Sequence, residues 1–79
     1  MAGATLRLTD LEVGARATVA EIQVAPNHRP RLMEMGLVVG TPVELVRFAP
    51  LGDPVEIKVR GYHLTLRRNE ADQILVRVK

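Results

Sequence analysis

The chain has 79 residues, about the size of one minimal domain, so it can bury only a single thin core. Apolar residues make up 47% of it, which excludes a disordered tail, but Phe48 and Tyr62 are its only aromatic residues. Eleven basic residues are interspersed with nine acidic ones, and this balance is weak support for nucleic-acid binding. We therefore expect a single domain over residues 1–79, with a core of Val, Leu, Ile and Met.

The chain contains no cysteine, which removes disulfides, thiolate metal sites and thiol nucleophiles together. A secreted domain of this size would usually need disulfides, so we expect a reducing, cytoplasmic location. The purest apolar stretch, residues 37–39, is far too short to cross a bilayer, and no signal-peptide pattern opens the chain. We expect no direct membrane insertion, and a place at the inner face of the membrane only through a partner.

Turn signals recur at short, fairly even intervals, a spacing that favours a small all-β barrel. A capping threonine and a glycine stop bound residues 9–14, which predicts one helical turn there. Residues 16–24 follow as the first strand. Their apolar positions change from one face of the strand to the other between Val19 and Ala20, which predicts either a β-bulge at this point or partial burial of both faces.

Residues 27–36 carry the signals of a short helix, with Asn27 as the N-cap and Gly36 as the left-handed stop. Pro30 then occupies the third helical position, where its missing N–H is one of the donors that the first turn leaves unpaired anyway. Leu32 lies on the predicted inward face of this helix.

The second half of the chain predicts a run of strands. Residues 42–48 form the second strand, and a loop stiffened by two prolines and a glycine follows at residues 49–54. Residues 55–59 alternate apolar and charged side chains, the cleanest half-buried strand pattern in the chain. Gly61 opens a tight turn into the fourth strand, residues 62–67, whose apolar side chains should share the face of the preceding inward row.

The last elements are a helical turn and a strand. Residues 69–72 read as a single turn capped by Asn69, and residues 74–78 as the fifth strand. The sequence therefore predicts a mainly β fold, a small five-stranded barrel with short helical insertions.

Three blocks of this sequence resemble the FeoA family, the small cytoplasmic proteins of bacterial ferrous iron uptake. They read RxxLxxMGLxxG from Arg29, VxxAPLGDP from Val46 and LxLRxxEA from Leu64, in matching order and spacing. The likeness extends over about residues 8–78, and the APLGDP segment is unusually specific for so short a protein. Pro30 departs from the family pattern and alters the surface of the first block.

The resemblance implies an SH3-like barrel and the role of an accessory partner of FeoB, the membrane Fe(II) permease with a cytoplasmic GTP-binding domain. Similar domains also occur at the C-terminus of DtxR-like metal-dependent repressors, but this chain has no room for a helix-turn-helix module. A stand-alone FeoA is the simpler interpretation of the resemblance.

Four residues of the first two blocks are candidates for partner binding: Arg29, Met33, Leu51 and Asp53. Arginine and methionine are enriched at interfaces, and Leu51 occupies the tip of the stiff loop. The alternative for Arg29 is that it packs its stem and pairs with an acid such as Glu34 or Asp53. Both interpretations of Arg29 stay open at this point.

No catalytic site is predicted, because no hydroxyl lies in a nucleophile motif beside a base. The two histidines, His28 and His63, read as surface residues, so we expect no metal site and no cofactor. The weaker alternative is that they converge with Glu34 or Asp53 to hold a divalent transition metal.

Two functions from different classes follow. The first is an interaction module that docks on a FeoB-type permease and modulates Fe(II) uptake, using residues 29–37 and 49–54. The second is a metal-sensing or DNA-associated domain like that of DtxR-type repressors. We expect no nucleic-acid partner, because the chain lacks aromatic stacking platforms and its strand-face arginines read as solvated. Exposed strand edges would permit a weak homodimer.

Overall fold

The computed structural model describes residues 5–78, which form one antiparallel sheet of six strands with three short helical segments. The elements along the chain are β1 (Thr5–Arg7), a 3-10 turn (Leu8–Asp10), β2 (Arg16–Ile22), α1 (Arg29–Glu34), β3 (Pro42–Phe48), β4 (Val55–Val59), β5 (Tyr62–Leu66), α2 (Arg68–Ala71) and β6 (Ile74–Val78). Their order across the sheet is β1-β6-β2-β3-β4-β5. The predicted domain limits at residues 1 and 79 lie outside the described residues.

The sheet has one strand more than the five predicted. The additional strand, β1, has three residues and pairs with β6, with Leu6 opposite Val76. All three residues of β1 are exposed, so they carry no alternation that a sequence pattern could detect. Strands β1 and β5 form the two edges of the sheet.

One apolar cluster holds the fold together, and every strand from β2 to β6 contributes to it. In β4, Val55, Ile57 and Val59 are each 0% exposed, which confirms the predicted alternation. Leu32 and Leu37, from α1 and the segment after it, are also fully buried in the cluster. Because one sheet supplies most of a single cluster, it must curl around that core, and the predicted mainly β fold is confirmed.

The predicted β4–β5 hairpin is also confirmed. Val59 lies opposite Tyr62 and Ile57 opposite Leu64, so the apolar rows share a face. Only Arg60 and Gly61 connect the strands, and both have positive φ, the conformation that matches a two-residue turn to the strand twist.

The bulge predicted near Ala20 is present. Against β6 the pairing jumps from Val19 to Glu21, which leaves Ala20 as the extra residue in β2. A second irregularity lies in β3, between Leu45 and Arg47 opposite β4, and the sequence pattern did not predict it. Bulges bend a strand and turn its side chains in new directions.

Helix α1 is shorter than predicted, and Asn27 is not its N-cap. The cap position belongs to His28, which makes no side-chain cap hydrogen bond, and Pro30 is the second helical residue. A backbone turn precedes the helix instead, in which the His28 N–H donates to the Ala25 carbonyl oxygen (2.9 Å). The predicted stop is confirmed, because Gly36 has φ +91°.

The other two helical segments also begin elsewhere than predicted. The first turn covers Leu8–Asp10 instead of residues 9–14, and the Asp10 carboxylate accepts the Arg7 N–H at 3.1 Å. Asn69 does not cap α2, because Arg67 is the N-cap residue. The first free N–H of α2, that of Arg68, donates to the Asp53 carboxylate at 3.0 Å.

Two side-chain contacts attach helix α1 to the rest of the domain. At its C-terminal end the Tyr62 hydroxyl donates to the Met35 carbonyl oxygen. A Cβ added at Gly36 would lie 2.7 Å from the Tyr62 hydroxyl oxygen, so the close approach of these two residues requires glycine there. Nearer the start, the Arg31 guanidinium donates to the Glu70 carboxylate of α2.

Glu70 is the one charged side chain in the described chain that counts as buried, with 5% of the residue exposed. Burial favours a higher pKa and is the largest single influence on this carboxyl. The hydrogen bond and charge of Arg31 act in the opposite direction, together with the Arg67 backbone N–H interaction and His28, and they hold the pKa of Glu70 below its ordinary value. Glu70 is therefore ionised and joins α2 to α1.

We expect Ile57→Asn to unfold the domain. The side chain is 0% exposed, and the substitution replaces packing with an unpaired amide at a cost of about 3–5 kcal/mol, against a total stability of roughly 4–12 kcal/mol for a chain of this length. Thermal unfolding followed by circular dichroism measures the effect. Lys58→Asn, on the exposed face of the same strand, is the control. A cooperative melt of the Ile57 variant near the parent temperature would contradict the strand assignment.

We also expect Glu70→Gln to lower the free energy of unfolding by about 1–2 kcal/mol at neutral pH, because the amide forms a weaker bond to Arg31. A carboxyl whose pKa is lowered on folding stabilises the protein above its unfolded-state pKa, about 4.3 for Glu, and this contribution disappears as the pH falls through the folded-state value. The deficit of the variant should therefore shrink below about pH 4.

Urea unfolding of the parent and Glu70→Gln across that pH range measures this deficit. Glu34→Gln is the matched control, because Glu34 is exposed and has no hydrogen bond or ion pair within residues 5–78. An equal deficit at every pH, or an equal effect of the control, would show that the Glu70 charge does not join the two helices.

Candidate partner-docking surface

A groove opens between the bulged strand β2, helix α1 and the segment that follows α1. Its cavity volume is about 420 Å³, and it is lined by Ala20, Glu21, Ile22, Arg29, Met33, Leu37, Val38 and Val39. Two of the predicted contact residues, Arg29 and Met33, thus lie in one site. The bulge at Ala20 contributes to it directly, because residues 20–22 form the β2 side of the groove.

The groove exposes apolar side chains on a fixed frame. Met33 is 59% exposed and Val39 is 65% exposed. The segment that carries Val39 is tied to β2 by two backbone bonds, from the Gly40 N–H to the Val19 carbonyl oxygen (2.8 Å) and from the Val19 N–H to the Thr41 carbonyl oxygen (2.9 Å). These bonds hold the lining residues in place before any partner arrives.

Arg29 does not form either of the ion pairs, with Glu34 or with Asp53, that the sequence left open. Its Nε–H donates to the Val24 carbonyl oxygen at 3.2 Å, and it forms no ion pair with Glu34 or Asp53. Within residues 5–78, Arg7, Arg16, Arg31 and Arg47 each pair with a carboxylate, whereas Arg29 pairs with none. Arg29 is an exposed residue, and its two Nη groups therefore stay available at the edge of the groove.

The loop at residues 49–54 presents the most exposed large apolar side chain of the described chain, Leu51, at 97%. The loop is closed internally by a bond from the Ala49 N–H to the Pro54 carbonyl oxygen (3.0 Å) and by one from the Gly52 N–H to the Ala49 carbonyl oxygen (2.7 Å). Leu51 therefore projects from a closed, hydrogen-bonded turn.

Arg68 of α2 braces this loop from the side. Its Nη1 donates to the Gly52 carbonyl oxygen (3.3 Å), and its guanidinium carbon lies 5.7 Å from the centre of the Phe48 ring. Asp53, the fourth predicted contact residue, accepts the Arg68 backbone N–H. The structure thus gives Asp53 an internal bond that orients the loop, in addition to its exposed position.

The groove and the loop lie at opposite ends of β3, which spans roughly 20 Å. Helix α2 contacts the elements of both, because Glu70 binds α1 and Arg68 binds the loop. The sequence patterns did not reveal that Glu70 holds α1 or that Arg68 holds the loop. A single charged residue in one helical turn is usually exposed to solvent, and Arg31 and Glu70 are 39 residues apart in the chain.

The two histidines lie beside different glutamates and do not converge on Glu34 or Asp53. His28 Nδ1 is 3.7 Å from a carboxylate oxygen of Glu70, and His63 Nδ1 is 3.0 Å from one of Glu56. Within residues 5–78, no three His, Cys, Asp or Glu side chains are grouped so that they could hold a metal ion. The same described part of the chain has no helix long and apolar enough to span a bilayer.

Known proteins share both the sequence and the fold. The model of the FeoA domain family matches residues 6–78. An Fe(2+) transport protein A/Fe(2+) transporter FeoB fusion protein from Porphyromonas gingivalis is 37% identical over 71 residues, which are 90% of this chain but 8% of the fusion protein. The FeoA protein from Chlorobium tepidum, whose solution structure is known, is 46% identical with a TM-score of 0.87, over 92% of this chain and 70% of that one.

A manganese-dependent transcriptional repressor also has this fold, with a TM-score of 0.89 over all of this chain and 44% of its own length. Its sequence identity is 15%, so the likeness shows the fold alone. The SH3-like architecture implied by the resemblance is confirmed by these structures. Because the family model covers nearly the whole chain, the protein belongs to the FeoA family.

Proposed function

We propose that this domain is an accessory module that docks on the cytoplasmic part of a FeoB-type Fe(II) permease and modulates ferrous iron uptake. The observation that carries the proposal is the relative in which an FeoA-like segment and a FeoB transporter form one polypeptide. A covalent fusion keeps two modules at a high effective concentration, which favours pairs that work in contact. In a separate chain, a docking surface would have to supply the contact that the fusion provides.

The groove and the Leu51 loop suit that task. They present exposed apolar side chains, Met33, Val39 and Leu51, on hydrogen-bonded frames, and Arg29 lies beside the first two. Methionine and arginine are enriched at protein interfaces, and the covered centre of an interface is more apolar than the rest of the surface. A rigid surface also loses little conformational entropy on binding. The proposal places the domain in the cytoplasm, beside the membrane only through its partner.

The proposal requires no catalytic group, and the polar side chains inside the domain have structural contacts. The Thr9 hydroxyl donates to the Asp72 carboxylate at 2.5 Å, and the Thr41 hydroxyl donates to the Gly36 carbonyl oxygen at 3.3 Å. Both threonines are buried and connect one segment to another. Chemistry on nucleotide or metal would therefore belong to the permease.

A metal-sensing or DNA-associated role is the second candidate, and one observation favours it: the shared fold of a manganese-dependent repressor. Fold likeness is weak support for function, because function depends on the site. A rise in melting temperature with Mn²⁺ or Fe²⁺, by mass action on the folded state, would favour this candidate. An unchanged melting temperature would leave the docking module as the better account.

An NMR titration tests the docking proposal. The labelled domain is titrated with the GTP-binding domain of its cognate permease, with and without guanine nucleotide. We expect amide shifts clustered at residues 29–39 and 49–54. Met33→Asp and Leu51→Asp should each weaken binding at least about tenfold, because each places a charge in a covered apolar contact.

Val13→Asp is the matched control, because Val13 is 62% exposed and lies outside both surfaces. The control should bind like the parent. Equal affinity for all three variants would contradict the proposed surface. No shifts even at high concentration would contradict docking on this part of the permease.

A further inference from the structure

We propose that the groove binds a partner segment in which a large apolar side chain stands next to a carboxylate, and that Arg29 receives the carboxylate. This inference rests on the proposed function and names the chemistry of the partner at the same site.

Arg29 is pre-oriented for such a contact. Its Nε–H bond to the Val24 carbonyl oxygen fixes one edge of the guanidinium, and within residues 5–78 neither Nη atom has a hydrogen bond or ion pair. A guanidinium presents donors in a planar fork that matches a carboxylate. Because one edge is already anchored, less rotamer entropy is lost when the carboxylate binds.

The rest of the groove favours an apolar group, and its one negative charge determines on which side the carboxylate of the partner can lie. Apart from Arg29, its one charged lining residue is Glu21, on the β2 side, whose carboxylate accepts a bond from the Gln23 amide at 3.1 Å. Glu21 disfavours a carboxylate on that side. The acid must therefore lie at the Arg29 side, with the apolar side chain over Met33 and Val39.

The charges around the start of α1 single out Arg29 as the group that can receive a carboxylate. Glu70 pairs with Arg31 and lies near His28, and the exposed Glu34 adds a negative charge to the same helix. Within residues 5–78, Arg29 pairs with no carboxylate. The preference for an acid is therefore a local contact with Arg29.

The size of the groove limits what can occupy it. A volume of about 420 Å³ lies at the lower end of the range for small-ligand sites, roughly 300–1,000 Å³. The groove therefore takes one or two side chains of a short segment and not the whole face of a helix. Leu51, at the other end of β3, then makes a second and independent contact with the partner.

Small probe molecules test the apolar contact and the carboxylate contact separately. We expect hexanoate to shift the amides of residues 20–22 and 29–39 in an NMR titration, 1-hexanol to do so more weakly, and hexylammonium to do so least. Because an exposed charge-assisted contact contributes about 1 kcal/mol, hexanoate should bind about fivefold more tightly than 1-hexanol. Arg29→Gln should make the two equal, since the groove remains but the charged fork is lost.

Arg60→Gln, at the exposed β4–β5 turn, is the control and should retain the preference. The amide spectrum of each variant reports whether it is folded. Equal binding of hexanoate and 1-hexanol by the parent, an unchanged preference in Arg29→Gln, or no binding of any probe would overturn the inference. Concentration-dependent shifts of the same amides without a probe would assign the groove to a second copy of this chain and would overturn it as well.

The permease domain distinguishes this inference from the docking proposal. If Met33→Asp loses binding to the GTP-binding domain while Arg29→Gln keeps it, docking stands and the carboxylate contact is refuted. If hexanoate is preferred but the GTP-binding domain does not bind, the chemistry of the groove stands and the partner is another protein.

Discussion

The buried carboxylate of Glu70 connects parts of this domain that the sheet alone leaves apart. It is ionised in the interior because the Arg31 guanidinium compensates for the loss of water around it. Through that pair α2 holds α1, and two residues earlier Arg68 holds the loop that carries Leu51. A helix of four residues thereby sets the positions of the groove wall and the loop tip relative to the same sheet.

The groove itself comes from a local irregularity in the sheet. The extra residue at Ala20 interrupts the alternation of β2, and residues 20–22 then line the groove facing α1. Without the bulge, strict alternation would send these side chains to other faces. Helix α1 ends at the Gly36 stop, where the Tyr62 hydroxyl also binds it. Residues 37–39 can therefore leave the helix and form the remaining side of the groove. The site therefore depends on the bulge at Ala20, the Gly36 stop and the Tyr62 hydroxyl, and the sequence patterns predicted the first two of these.

The sequence predicted the parts of this fold that depend on local patterns. The alternation of residues 55–59, the parity change at Ala20 and the glycine stop of α1 all have physical causes within a few residues of chain. The N-caps at Asn27 and Asn69 were wrong, because backbone turns and the distant Asp53 carboxylate supply the acceptors instead. Strand β1 was missed, since three exposed residues show no period.

The sequence predicted two residues of the candidate site but not the contacts that position them. Arg29 and Met33 were selected because such residues are common at interfaces, and both line the groove. Sequence alone left open whether Arg29 pairs with an acid, and only the fold shows that it binds the Val24 carbonyl oxygen. The Arg31–Glu70 pair joins residues far apart in the chain, so no local pattern could have revealed it.

If the groove and the Leu51 loop both dock on the cytoplasmic part of the permease, both must lie against it in cells. A photo-crosslinking amino acid in place of Val39, Leu51 or Val13, in cells that produce the full-length permease, reports these contacts. We expect crosslinks to the permease from positions 39 and 51 and none from position 13. Crosslinks from position 13 alone, or from none of the three positions, would contradict this docking.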